Sequence, residues 1–430
     1  MTELGQRPRK ARQVVSGPPT ILQIIPRLDT GGAELSAIEI TEAIVRAGGR
    51  ALVATEGGRL APRISESGGD IVPFPAATKN PLRLLTNAYA LERLIRQRDV
   101  DLIHARSRAP AWSALLAARR AKIPFVTTYH GAYAENGRLK RLYNSVMARA
   151  DVVIANSGYT ADLIRQRYGT PDLRIRVIHR GVDLARFRPD AVLPARVEAL
   201  RQAWGVAPGR PVVLQAARLT AWKGQRVLVE AAAYLRARDR LGDAVIILAG
   251  DAQGRDGYGD MLRREAEASG LGERVRIVGH VDDMAAAYLV AQVAVVASTE
   301  PEAFGRTATE AQALGCPVIA TAIGAPPETV LAAPRAAETA ITGWLVPPDD
   351  VPALAAALAA ALALPVDARM AMGGRARSHV ARHFTLEEMK RATLAVYDEL
   401  LQDTRQTRLQ ERFLAAQSST GTATGPSPAA

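Results

Sequence analysis

The chain has a single cysteine, Cys316, in 430 residues. An internal disulfide is therefore excluded, and a reducing compartment fits. Aromatic residues make up only 5%, and the basic residues are not interleaved with them, so there is neither a stacking platform for nucleic acid nor a nucleic-acid module. No run reaches the roughly 18 apolar residues that a membrane-spanning helix needs; the apolar stretch Ala353–Leu364 is short and mostly alanine. Met1–Pro19 is polar and basic, without the apolar segment of a secretory signal. Cys and His do not cluster at metal-ligand spacing, so no metal site is expected. Residues 1–18 and 416–430, polar or low in complexity, read as disordered tails.

What is present is apolar mass and positive charge. Hydrophobic residues reach 48% and the net charge is +12, a balance that attracts phosphate-bearing partners. The length suits two domains. Short apolar runs alternate with helical stretches throughout. In the first half the runs are Ile21–Ile25, Ala51–Ala54, Ile71–Phe74, Leu102–His104, Phe125–Tyr129, Val152–Ala155 and Ile175–Ile178. In the second they are Val212–Gln215, Val245–Ala249, Val275–Val278, Val293–Ala297 and Pro317–Ala320. This grammar predicts an α/β protein of two doubly wound parallel-sheet domains. The expected boundaries are 19–190 and 206–380, with a helix over 385–404 returning to the first domain.

Open α/β sheets bind ligands at the carboxyl ends of their strands, so the loops after each run are the candidate sites. Ser298–Glu310 leads from one run into a helix. Glu302 falls in the loop and Glu310 about two turns into the helix. Between them Phe304-Gly305 marks a helix entrance whose N–H groups can hold an anion. The other reading of the Glu pair is ordinary charge placement near a helix start. Arg218 and Lys223 share the loop after Val212–Gln215, where a guanidinium fork and a point charge can neutralise a departing diphosphate; a solvated charge pair is the alternative. Gly31-Gly32 permits either close backbone approach to a ligand or a simple tight turn. His130-Gly131 follows Phe125–Tyr129 and reads either as a substrate contact or as a structural histidine. Gly250-Asp251 and the Gly279–Asp283 loop with Val281 also end strands, the latter placed to read a base edge.

These residues, in this order, resemble the retaining glycosyltransferases of family 4, which have the GT-B fold of two Rossmann-like domains facing across a cleft. The likeness rests on Gly31-Gly32, His130-Gly131, Asn156-Ser157, Arg218 with Lys223-Gly224, Ala249-Gly250-Asp251, Glu302–Gly305 with Glu310, and Gly343–Pro348, and runs from about Ile21 to about Leu400. It implies a metal-independent transferase of hexosyl type. Arg218 and Lys223 would hold the donor diphosphate, Glu302 the sugar hydroxyls and Glu310 the ribose. Phe304-Gly305 would add N–H donors, His130 would reach the sugar, and Gly31-Gly32 would admit the diphosphate. The donor would be a nucleotide diphosphate sugar, with no separate cofactor. This sequence departs from the family at Gly324-Ala325-Pro326-Pro327-Glu328, where two glycines commonly precede Pro-Glu, and at Ala303, where glycine is frequent.

The acceptor is expected to be a glycan or lipid-linked glycan, as in lipopolysaccharide, polysaccharide or glycolipid synthesis. One stretch bears on it. Arg138, Lys140, Arg141 and Arg149 share a predicted helix with Leu139, Leu142, Tyr143, Val146 and Met147, which reads either as a membrane-surface helix or as a surface helix with its apolar face in the core. The expected location is the cytoplasm, at the inner face of the membrane if that helix docks. A nucleotide-sugar epimerase and a non-catalytic nucleotide-sugar-binding protein use the same scaffold. The Arg218/Lys223 and Glu302/Glu310 set argues for transfer.

Overall fold

The computed structural model describes residues 17–421, apart from 30, 134, 136, 253, 255 and 406. The chain divides into two compact units. Unit 1 runs to Asn156, resumes over Ala161–Ile178 and takes the chain from Glu388 onward; unit 2 comprises Ser157–Thr160 and His179–Glu387. The expected boundary near 190–206 is therefore reached early, because the segment after residue 179 buries Val182, Phe187 and Val192 in the core of unit 2.

Unit 1 is built on strands β1 (Thr20–Ile24), β2 (Arg50–Thr55), β3 (Asp70–Pro73), β4 (Leu102–Ala105), β5 (Phe125–Tyr129), β6 (Val152–Ala155) and β7 (Ile175–Val177). They form one parallel sheet of order β3-β2-β1-β4-β5-β6-β7. The intervening helices are α1 (Gly32–Arg46), α2 (Pro62–Glu66), α3 (Pro81–Gln97), α4 (Arg108–Ala121), α5 (Arg138–Asn144) and α6 (Gly158–Tyr168). Alternation along each strand sends Leu22, Ile24, Ile103 and Phe125 to a core shared with α3 and α4, and Val53 to one shared with α1 and α2. Both faces are covered, which is why the strands read as continuous apolar runs.

After α7 (Pro194–Ala203), unit 2 repeats the plan with β8 (Val212–Ala216), β9 (Val245–Ala249), β10 (Val275–Gly279), β11 (Val293–Val296), β12 (Val318–Thr321) and β13 (Gly343–Val346). The order is β10-β9-β8-β11-β12-β13, again all parallel. Its helices are α8 (Gln225–Arg236), α9 (Asp256–Ala268), α10 (Met284–Val290), α11 (Arg306–Ala313), α12 (Pro326–Thr329), α13 (Val351–Leu362) and α14 (Val366–His383). Val212 and Leu214 face the core containing α10, α11 and α14, while Val213 faces that containing α8, α9 and α13.

The last described elements are α15 (Leu386–Leu401) and α16 (Leu409–Gly421). From Glu388 onward α15 belongs to unit 1, where Lys390 Nζ lies 3.1 Å from Glu42 of α1. The tail expected from residue 416 is helical as far as Gly421, because fully buried Leu409 and Phe413 anchor the start of α16. Residues 1–16 and 422–430 of the two expected tails lie outside the described residues.

The basic helix expected over Arg138–Arg149 is two pieces. After α5 the chain tightens to a 3-10 turn, Ser145–Ala148, that buries Val146 and Met147 in the core, while Leu139 and Leu142 stay exposed. Among the described residues no single helix is long and apolar enough to cross a membrane. The apolar stretch at 353–364 forms most of α13 and its Leu354, Ala355 and Leu358 are core.

Candidate active site

In the sheet of unit 2 the strand order reverses between β8 and β11, and at such a reversal adjacent loops part to open a crevice. The two loops there are 217–224, after β8, and 297–305, after β11. Lys223 Nζ pairs directly with Glu302 Oε1, and Ser298 Oγ donates to the same carboxylate oxygen at 2.6 Å. Both ionic side chains are largely buried, Lys223 at 18% exposure and Glu302 at 11%. The ammonium also stands 4.1 Å from the centre of the Trp222 ring, a cation–π contact.

Backbone geometry locks this group. Gly224 has φ +72°, and a Cβ there would lie 1.8 Å from the Ala297 carbonyl oxygen, so only glycine lets the two loops touch. Thr299 N donates to Trp222 O at 2.8 Å, and Gln215 Nε2 to Lys223 O at 2.6 Å. Glu302 is itself fixed by a parallel bridge to Gly324 and by Ala325 N, which donates to its carbonyl at 2.9 Å. Arg218 is exposed; its carbonyl accepts from Gln225 Nε2 at 2.8 Å, and its guanidinium makes no ion pair or hydrogen bond with a described residue.

The remaining candidates of unit 2 lie on its other strand-end loops and on α11. Gly250 packs so closely that a Cβ would lie 1.9 Å from Ala217 O, and the Asp251 carbonyl accepts from Leu219 N at 3.1 Å. Val281, half-buried after β10, lines a cavity of about 550 Å³ with Trp204, Arg276 and His280. Gly305, at φ +83°, is the N-cap of α11, whose first turn has no side-chain cap. Phe304 is 3% exposed and stacks among His179 and Phe384, so its contribution to a ligand is limited to its backbone. Glu310 comes about one turn into α11 rather than two, because the helix starts at Arg306, and lies 3.3 Å from Arg306 Nε.

Two participants, Ser298 and Trp222, carried no sequence signal of their own and were visible only as neighbours of charged residues. Glu328 of α12 accepts from Gly158 N at 2.8 Å and Tyr159 N at 2.7 Å and meets His179 Nε2 at 3.3 Å. Burial opposes ionisation of Glu328, but His179 and the two N–H groups together hold its carboxyl below the ordinary range.

In unit 1 the strand order reverses between β1 and β4. Gly31, at φ +151°, is the N-cap of α1, which starts at Gly32. His130 follows β5 and is half-buried. Sequence reasoning missed a buried polar group here. His104 of β4 bonds Tyr397 Oη through Nδ1 at 2.6 Å and Thr128 Oγ1 through Nε2 at 2.7 Å. Burial, reinforced by Arg106, holds the His104 pKa well below its ordinary value. Arg106, 2% exposed, donates from Nε to Gln23 Oε1 at 2.6 Å. Nothing short of the tertiary fold brings residues 104 and 397 together.

Residues 30–186 match the family model described as Glycosyltransferase Family 4, and residues 196–379 the model described as Glycosyl transferases group 1. A D-inositol 3-phosphate glycosyltransferase of Xylanimonas cellulosilytica is 31% identical over 398 residues, covering 86% of this chain and 92% of that protein. The chain belongs to the family 4, group 1 glycosyltransferases. Among solved structures, a glycosyltransferase of Rickettsia africae superposes on this enzyme with a TM-score of 0.81 at 32% identity, over 90% of this chain and 99% of that one. An Anabaena protein crystallised with UDP-glucose gives 0.75 at 26% identity, over 88% and 99%. The two parallel sheets of this glycosyltransferase are those of the GT-B fold. Among its described residues no group of three or more His, Cys, Asp and Glu could hold a metal ion.

Proposed function

We propose that this glycosyltransferase moves a sugar from a nucleotide diphosphate sugar to a hydroxyl of a glycan or lipid-linked glycan, with retention of configuration and without a metal ion. One observation carries the reading: Lys223, Glu302 and Ser298 meet at the strand-order reversal of unit 2, with Arg218 exposed on the Lys223 loop. The bond between the anomeric carbon and the diphosphate breaks, and its electron pair goes to the leaving phosphate oxygen. Arg218 and Lys223 neutralise that charge in place of a metal ion. The acceptor hydroxyl attacks from the face the diphosphate leaves, and its proton passes to the diphosphate. Glu302 holds sugar hydroxyls and aligns Lys223 and is not a nucleophile, since its carboxylate is already engaged by an ammonium and a hydroxyl. Glu310 bonds the ribose. His130 is assigned a part in catalysis, so that His130→Ala lowers kcat.

The likeness to a protein solved with UDP-glucose supports a UDP-sugar donor. The expected setting is lipopolysaccharide, polysaccharide or glycolipid synthesis in a reducing compartment, with which one buried thiol agrees. The curated relatives add an inositol phosphate to the acceptors worth testing. The experiment is nucleotide release from a panel of nucleotide sugars with a lipid-linked glycan extract or D-inositol 3-phosphate as acceptor, in chelator, wild type beside Glu302→Ala. Acceptor-dependent release that survives chelation, is lost in the variant and leaves the anomeric configuration unchanged in the product's NMR spectrum supports the proposal. An inverted product, or activity abolished by chelation, overturns retention or metal independence respectively. An epimerised sugar formed without acceptor assigns the epimerase. No release from any donor, with a donor that still raises the melting temperature, assigns the non-catalytic binding reading; neither release nor stabilisation by any donor overturns the proposal.

A further inference from the structure

The outer surface of one helical layer of unit 1 is apolar and basic at once. Helix α3 packs on α4, and α4 on the 3-10 turn that follows α5, all on one face of the sheet. On α3 the side chains Leu82, Leu85 and Tyr89, spaced to share one helical face, are each more than half exposed, Leu82 at 74%. On α5 Leu139 is 84% exposed and Leu142 more than half. Leu116 of α4 is also exposed. A monomer ordinarily buries such leucines or scatters them singly.

The charge around them is predominantly positive. Residues 79–149 contain fourteen Lys and Arg against four Asp and Glu, so this stretch holds ten of the chain's net +12. Most of the few acids are already engaged. Glu92 is held by Arg96 and Arg120, each at 2.6 Å, and Asp101 by Arg405 at 2.6 Å. Arg83, Arg93, Arg138, Lys140 and Arg149 remain exposed, Arg119 pairs with Asp151 at 3.0 Å, and Arg120 lies 4.5 Å over the Tyr89 ring. Like charge disfavours a second copy of the same face. Scattered leucines without an exposed aromatic ladder do not suit a nucleic acid. Exposed apolar side chains ringed by cations fit an anionic lipid surface, where the leucines enter the acyl boundary and the cations meet the headgroups.

We propose that the α3–α4–α5 face docks this glycosyltransferase peripherally on anionic membrane, with Leu82, Leu85, Leu139 and Leu142 as the inserting residues. This goes beyond the transferase reading and does not depend on it, because docking is measured without donor or acceptor.

The test is co-sedimentation of the full chain with vesicles of equal parts phosphatidylglycerol and phosphatidylcholine, beside pure phosphatidylcholine, at low and high salt. Binding confined to the anionic vesicles and weakened by salt is expected. Leu82→Ser with Leu85→Ser should lower the partition coefficient about tenfold or more, as partial loss of leucine burial predicts. Arg138→Gln with Lys140→Gln should lower it about fivefold per cation. These side chains are exposed, so the melting temperature should not move. No binding to anionic vesicles at low salt, equal binding to neutral vesicles, or wild-type binding by the leucine variant overturns the proposal. So does a concentration-dependent dimer, or tighter retention of single-stranded RNA than of vesicles, either of which gives the face to another partner.

Discussion

Lys223 is gripped by a carboxylate, an indole ring and, through its backbone, Gln215. Arg218, on the same loop, is engaged by nothing comparable. The two cations therefore have different parts. Lys223 is preorganised and its removal strands Glu302, whereas Arg218 can fold onto a ligand. Arg218→Ala should cost at least ~10²-fold in kcat, the usual effect of losing one donor to a developing anion, with stability unchanged; near-wild-type turnover would remove it from the mechanism. Gly224→Ala has another cause. Its methyl cannot share space with the Ala297 carbonyl, so the two loops must part. An expected loss of about 2–4 kcal/mol in urea unfolding should accompany loss of activity. Lys223 and Glu302 were each legible as candidates because each follows an apolar run, but their pairing was not, since the sequence grouped Lys223 with Arg218 and Glu302 with Glu310. Nor was the close approach of Gly224 to Ala297 legible, since glycine near a helix start has many uses.

At the scale of elements, the strands were legible wherever both faces are buried. The runs at Phe125–Tyr129, Val152–Ala155 and Val245–Ala249 coincide with β5, β6 and β9. Strand β13 was not read as one. It opens on glycine, holds four residues, and lies at the sheet edge with Trp344 and Leu345 only half-buried, so it lacks the fully apolar run of a central strand. The split after α5 was hidden for a related reason, because basic and apolar residues alternate there with a helical period that does not say which leucines face the core. Helix α14 carries part of the pH dependence, beside His104 of β4, whose pKa burial also lowers. His379 is buried beside Phe384. Burial, then His383 and Arg382, push its pKa down to about 4. An unfolded histidine takes its proton near pH 6.5, while the folded one resists to about pH 4. Stability is therefore complete above about pH 6.5 and falls as the pH drops toward 4, by at most roughly 3 kcal/mol. His379→Leu should make that stretch of the profile shallower, the remainder belonging to His104, measured as urea midpoints across it. An unchanged slope would mean that another group carries it.

At the scale of the molecule, the chain's last described segment stabilises the strands at its start. Arg405 lies 2.6 Å from Asp101, whose other oxygen accepts from Thr20 N at 2.8 Å, and Arg405 also donates to the carbonyls of Gly17 and Pro18. The starts of the central strands β1 and β4 of unit 1 are thus tied by a residue more than three hundred positions away, a pairing that no local pattern encodes. Burial already raises the Asp101 pKa against these bonds, so when Arg405 is removed the carboxyl can take a proton instead of remaining a stranded charge. That reduces the cost from the several kcal/mol of an ordinary broken buried pair to about 2 kcal/mol. Arg405→Ala should accordingly speed hydrogen exchange in peptides covering β1 and β4 roughly thirtyfold, and leave peptides covering β8 and β9 of unit 2 as they are. Equal acceleration in both units would mean that they unfold as one. No acceleration in either would mean that the tie at Asp101 contributes nothing beyond the sheet's own hydrogen bonds.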